Sequence, residues 1–300
     1  MEDVSEYNED ILVRDYHILL LKKSVFIAVC FAVVVAAVGF SLGIGAREMS
    51  FTRVYELLFE HILGVEHEFG SVDWVEDAVV WDYRVPRALF AILAGVSLAI
   101  AGVAMQSVMN NPLADPYTTG ISSGACFGVS VAMILGFTVA GKSYSNIGLV
   151  VNSFVFALIP VLMIVAVAPK TRSSPATLIL AGTAIAYIFN ALNTLMMVST
   201  EEETLAEVYR WQVGSIEGII WEDIPIVAVA TVVGSAIIIL LSRQLNILSL
   251  GESSAKSLGI NVNTLRMILL LVMAFMVASV VSYAGIIGFL GLVSPHIVRM

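Results

Sequence analysis

The chain has 300 residues, 59% of them hydrophobic and only 13% charged, with a formal net charge of −9. That charged share is about half the usual value for soluble proteins. With a mean hydropathy of +0.93, it excludes a soluble globular domain and identifies an integral membrane protein, with apolar segments too numerous for a signal peptide to explain.

Taken in order, residues 1–23 form a polar leader ending in Lys22 and Lys23, and residues 24–44 form the first apolar span. Residues 45–83 are mostly polar, and residues 51–63 within them carry apolar side chains at helical spacing, which predicts an amphipathic helix on the membrane surface. Further spans are predicted at residues 88–109, 118–137, 147–167, 176–198, 224–241 and 264–282, with a shorter apolar segment at 286–298. At about 1.5 Å per residue each full span can cross a hydrocarbon core of about 30 Å. A tight basic loop at 169–175, an acidic loop at 200–223 and a polar loop at 242–263 connect the later spans. Cys30 and Cys126 fall in spans and are read as small packing residues.

Basic residues of short loops set the orientation. With the N-terminus in the cytoplasm, the inner segments hold Arg14, Lys22, Lys23, Lys170, Arg172, Arg243, Lys256 and Arg266, against Arg47, Arg53, Arg84, Arg87, Lys142 and Arg210 outside. Arg299 adds one inner vote, and 16 of the 24 acids fall in the outer segments 45–83 and 200–223. None of the 24 acids lies within a predicted span. Carriers coupled to protons or sodium commonly depend on intramembrane carboxylates, so this favours a pore whose energy source lies elsewhere. The fold class is therefore an all-α polytopic helical bundle, residues 1–300 forming a single membrane domain.

Several short motifs carry more than hydropathy. Arg84 and Arg87 flank Pro86 at the outer end of the second span; they are either interfacial snorkelling residues or a pair of cations displayed to an external carboxylate partner. Gln106, Asn110, Asn111, Pro112, Asp115 and Pro116 form a polar elbow at the inner end of that span, where the prolines stop the helix and turn the chain. Ser174 and Pro175 before Ala176 and Thr177 read as a helix start. Trp211 and Trp221 are placed as interfacial anchors. Leu248, Leu250, Gly251, Glu252, Ala255, Lys256, Leu258 and Gly259 predict one short helix, with Leu250, Ala255 and Leu258 on one side, Glu252 paired to Lys256, and Gly259 as the stop. A solvated connector has no need of that apolar side, whereas a helix docking into a partner does. Gly288, Gly291 and Pro295 predict a thin, bendable final helix, and a lone His296 makes a poor metal or haem ligand. No Gly-x-x-x-x-Gly-Lys-Ser/Thr run occurs, so nucleotide hydrolysis is expected on another chain.

The run from Arg84 to Gly128, the Leu-Ala-Gly element ending at Gly182, the segment 248–259 and the segment 285–299 together resemble the FecCD-type permeases, the membrane subunits of ABC importers for ferric siderophores, haem and vitamin B12. The resemblance implies a multi-pass subunit of the cell membrane that moves a metal chelate by alternating access. Its expected partners are a cytoplasmic pair of ATP-binding subunits, an extracytoplasmic substrate-binding protein and a second copy of itself, with no resident cofactor, no metal and no nucleic acid. It implies that Arg84 and Arg87 receive glutamates of the binding protein and that 248–259 is the coupling helix seated in the ATPase. It also implies that Ser174, Pro175, Ala176 and Thr177 stand at the cytoplasmic gate, where Pro175 departs from the small hydroxyl residues expected. Family members have ten spans, so about eight are present here and two helices with a returning loop are expected to follow Met300. The rival readings are an ion-coupled secondary carrier and an intramembrane haem-binding redox protein. The sequence leaves the chelate unnamed.

Overall fold

The computed structural model describes residues 2–45, 47–141, 145–167 and 174–299, with side chains from Arg14 onward. All regular structure among the described residues is helical, and the chain divides into two compact units, Met1–Ala88 and Leu89–Met300.

In the first unit, α1 spans Glu2–Gly43, so the polar leader continues as helix into the apolar span. Helix α2 (Phe51–Ile62) starts at Ser50, whose hydroxyl accepts from Arg53 N at 3.2 Å; α3 (Val72–Ala78) starts likewise at Ser71 and runs on through a π-type stretch, Val79–Arg84. Side-chain oxygens at these positions satisfy amides that the first helical turn leaves open. The amphipathic helix expected at 51–63 is α2, and it buries Val54 and Leu57 against Leu42 and Val80. Acids of α2 and α3 are paired with basic residues of α2: Arg53 binds Glu56, Asp73 and Glu76, and His61 stacks on Trp81 at 4.1 Å while contacting Asp77 at 2.7 Å.

Helix α4 (Val85–Met109) carries the chain into the second unit. There a 3-10 turn at Pro116–Thr119 precedes α5 (Ile121–Leu135), followed by α6 (Asn146–Val167), α7 (Pro175–Val198), α8 (Glu202–Val213), α9 (Ile224–Leu240), α10 (Ser242–Ser249), α11 (Glu252–Ser257), α12 (Val262–Ala284) and α13 (Leu290–Arg299). The spans predicted at 88–109, 147–167, 176–198, 224–241 and 264–282 become α4, α6, α7, α9 and α12, with ends shifted by three residues or fewer.

Helix α12 is apolar all round and is accordingly the buried pole. Met276, Val277, Ala278, Val280 and Val281 are fully enclosed, and Ser97 of α4 donates to Met276 O at 3.2 Å. Six helical stretches among the described residues are long and apolar enough to cross a membrane. The third predicted span is shorter than expected: its start is taken by the 3-10 turn and Gly136 (φ +67°) ends it, leaving 15 residues, about 22 Å. Gly124 and Gly128 of α5 lie directly on the backbone of α6, where an added Cβ would stand 2.4 Å from Phe156 O and 2.6 Å from Asn152 O. This is the close small-residue approach that suits helices in lipid.

Candidate functional site

The polar elbow is built by its own side chains. Asn110 takes φ +46°, a left-handed conformation that asparagine tolerates better than most residues. Asn111 Oδ1 accepts from Leu113 N at 2.9 Å and Asp115 Oδ1 accepts from Tyr117 N at 2.8 Å, so each side chain opens a turn around Pro112 and Pro116. The two amides and the carboxylate that prolines alone leave unexplained are thus turn-formers. Burial pushes the Asp115 carboxyl up, and the Tyr117 amide partly opposes this.

The elbow receives α13. Gly291 packs so closely on α4 that a Cβ at Gly102 would lie 1.9 Å from Gly291 O. Tyr117 Oη donates to Ile287 O at 3.0 Å, and Arg299 Nη1 donates to Gln106 Oε1 at 2.6 Å. Gly288 was expected inside a bendable helix; it lies in the non-helical segment before Leu290. Gly291 serves close packing, Pro295 is buried and His296 is exposed.

Segment 248–259 is two helices rather than one. Gly251, at φ +116°, breaks the chain between α10 and α11, a backbone state that only glycine reaches cheaply. The expected common side for Leu250, Ala255 and Leu258 is corrected with it. Ala255 and Leu248 are buried, whereas Leu250 and Leu258 are 74% and 66% exposed. Gly259, at φ +80°, stops the element as expected. Glu252 pairs with Lys256 at 2.7 Å and also with Arg266 of α12 at 3.0 Å.

The Lys256 hydrogen bond first, and Arg266 after it, hold the Glu252 carboxyl below the ordinary glutamate range, against the opposing effect of burial. A carboxyl lowered in the folded state stabilises fully above its unfolded value and loses that contribution as pH falls through the lowered value. Acidification through that window should therefore lower the protection factors of residues 250–259, the exchange rates being corrected for the intrinsic pH dependence of amide exchange. In Glu252→Gln the exchange of this segment should show no such pH step; an equal step in both proteins would refute the assignment.

Arg84 is not displayed. It is 7% exposed, and its guanidinium donates to Leu42 O at 2.6 Å and Arg47 O at 2.7 Å, closing the turn after α1. Arg87 is half-buried with its guanidinium 5.8 Å from the Tyr83 ring centre. Ser174 Oγ accepts from Thr177 N at 3.2 Å and Pro175 takes the first turn of α7. The helix-start reading accounts for this geometry, with Ala176 exposed beside it. Most of the basic loop at 169–175 lies outside the described residues.

Trp211, expected as an interfacial anchor, packs on the protein core. Next to it Ser215 N donates to Ala284 O at 2.7 Å, so the acidic loop closes over the end of α12. Sequence reasoning missed Arg266, Asn152 and Asn193. Arg266 had one available signal: a cation near a helix N-terminus is unfavourable without an anionic partner. Among the described residues no three His, Cys, Asp or Glu side chains converge to hold a metal ion.

Comparison with known proteins gives a consistent picture. The family model described as the FecCD transport family matches residues 32–300. The cobalamin import system permease protein of Halobacterium salinarum is 36% identical over 234 residues, covering 78% of this chain and 61% of that protein. The molybdate import system permease protein of Haemophilus influenzae is 33% identical over 261 residues, covering 87% of this chain and 74% of that one. A metal-chelate type ABC transporter solved in an inward-facing conformation superposes with a TM-score of 0.74 at 30% identity, covering 89% of this chain and 78% of that one.

Proposed function

Since this chain belongs to the FecCD transport family, a multi-pass permease subunit of the inner membrane and not itself an enzyme, we propose that it forms the pathway for a metal chelate and takes its energy from a separate pair of ATPase subunits docked on α10 and α11. The observation that carries this reading is the pair of exposed leucines, Leu250 and Leu258, on an element that Leu248 and Ala255 fix to the bundle. Exposed apolar side chains on a held connector outside the spans fit a protein partner. The segment that resembles the family's coupling helix is the same one.

The cobalamin relative and the metal-chelate transporter favour a bulky chelate as cargo. The molybdate relative, which this chain covers more fully, favours a small oxyanion as the second reading. Uptake assays with cyanocobalamin and with molybdate separate the two. An external binding protein would engage Arg87, and a second copy would complete the pathway.

The test is co-purification of the chain with its candidate ATPase. The double variant Leu250→Asp plus Leu258→Asp alters only exposed positions, so the permease should stay monodisperse while the ATPase is lost. Undiminished recovery of the ATPase would sink the docking assignment, and uptake that persists without any ATPase would favour an ion-coupled carrier.

A further inference from the structure

We infer that Arg266 is the positioning residue that carries displacement of α11 into α4 and α12, an inference that rests on the importer reading above. Of the six residues of α11 only Ala255 is buried, so the grip of this helix on the bundle is one methyl group and one carboxylate. That carboxylate, Glu252, is bound on its outer side by Lys256 and on its inner side by Arg266. Arg266 is 2% exposed and lies in the first turns of α12. Its Nη1 donates to Glu252 Oε2 at 3.0 Å while its Nε donates to Val108 O at 3.4 Å, one residue before the end of α4.

One planar guanidinium thus touches the first residue of α11, the body of α12 and the last turn of α4, immediately before the elbow. A guanidinium is rigid and offers donors in a fixed fork, so it couples its partners more stiffly than an ammonium on a flexible stem. The Gly251 break forms a joint between α10 and α11. A partner pushing on Leu258 would tilt α11 about this joint, and Glu252 would draw Arg266, and with it the inner end of α4. Lys256 is solvent-facing and belongs to α11 itself, so it has no part in the transfer.

The experiment is hydrogen exchange on the permease–ATPase complex in lipid nanodiscs, read at residues 106–116 with and without ATP plus orthovanadate. In wild type, trapping should change exchange at the elbow. Glu252→Gln and Arg266→Met should keep the ATPase bound yet lose that change, whereas Arg210→Met, at an exposed position of the acidic loop away from the docking element, should behave as wild type. An elbow that responds equally in Glu252→Gln, or does not respond in wild type with ATPase bound, would overturn the tether. A wild-type permease that retains no ATPase would overturn the importer reading first, and the tether with it. Glu252→Gln alters a half-exposed side chain, so the test survives even if Arg266→Met fails to fold.

Discussion

Gly128→Val should lower both the folded yield and the melting temperature of the permease, with Gly124→Val close behind. A Cβ at Gly128 would stand 2.6 Å from Asn152 O and 2.6 Å from Phe156 Cβ; at Gly124 it would stand 2.4 Å from Phe156 O. These neighbours are mostly backbone atoms of α6, which cannot swing aside as a side chain can. The two helices would have to separate, and overpacking of this kind costs roughly 1–3 kcal/mol per site and sometimes more. Separation also strips the bond from Asn152 Nδ2 to Gly128 O, 3.2 Å long. Gly95→Ala is the matched control, since nothing lies within 4 Å of an added Cβ there. Size-exclusion recovery and thermal melting in detergent provide the readout, and a Gly128→Val protein melting like wild type would refute the packing argument.

Asn152→Leu should destabilise the same helix pair by about 2–4 kcal/mol, taking about 1–3 kcal/mol for each buried polar group left without a partner. Asn152 is fully buried. Its amide donates to Phe137 O at 2.8 Å and its carbonyl accepts from Val139 N at 2.7 Å, so one side chain satisfies the chain just beyond α5. Water can reach such groups in a surface loop; a leucine here would block it and offer no replacement. The expected result is a lowered melting temperature together with faster amide exchange at residues 136–141. Unchanged exchange there would mean that Asn152 does not hold this turn.

Why some of this was legible in the sequence, and some not, follows from the range of the interactions. The spans declare themselves through uninterrupted apolar runs. The elbow does so through Pro112, Pro116 and the flanking Asx residues, and the start of α7 through Ser174 and Pro175. All of these are local chemistry. Arg84 was misread because its partners are carbonyls at Leu42 and Arg47, far away in the chain, and a guanidinium turned inward has the same sequence as one turned outward. The break at Gly251 was missed because 248–259 reads as one helix stopped by Gly259, and the φ of +116° that separates two helices at Gly251 leaves no mark in the residue pattern. Arg266 and Asn152 matter through partners outside their own helices. The family was legible through motif resemblance and not through composition, which identifies a membrane bundle and stops there.

The short α5 has a consequence for how the protein is made. In the hydrocarbon region a backbone group without an internal partner is strongly disfavoured, and Phe137 O and Val139 N obtain theirs from Asn152. During translation those two groups emerge before Asn152 has been added to the chain. The earliest moment at which α5 can rest in lipid with its connecting turn satisfied is therefore after the first turns of α6 have been synthesised. Insertion of α5 and α6 as one hairpin is the expected order, with the ribosome running ahead of the membrane by at least that much.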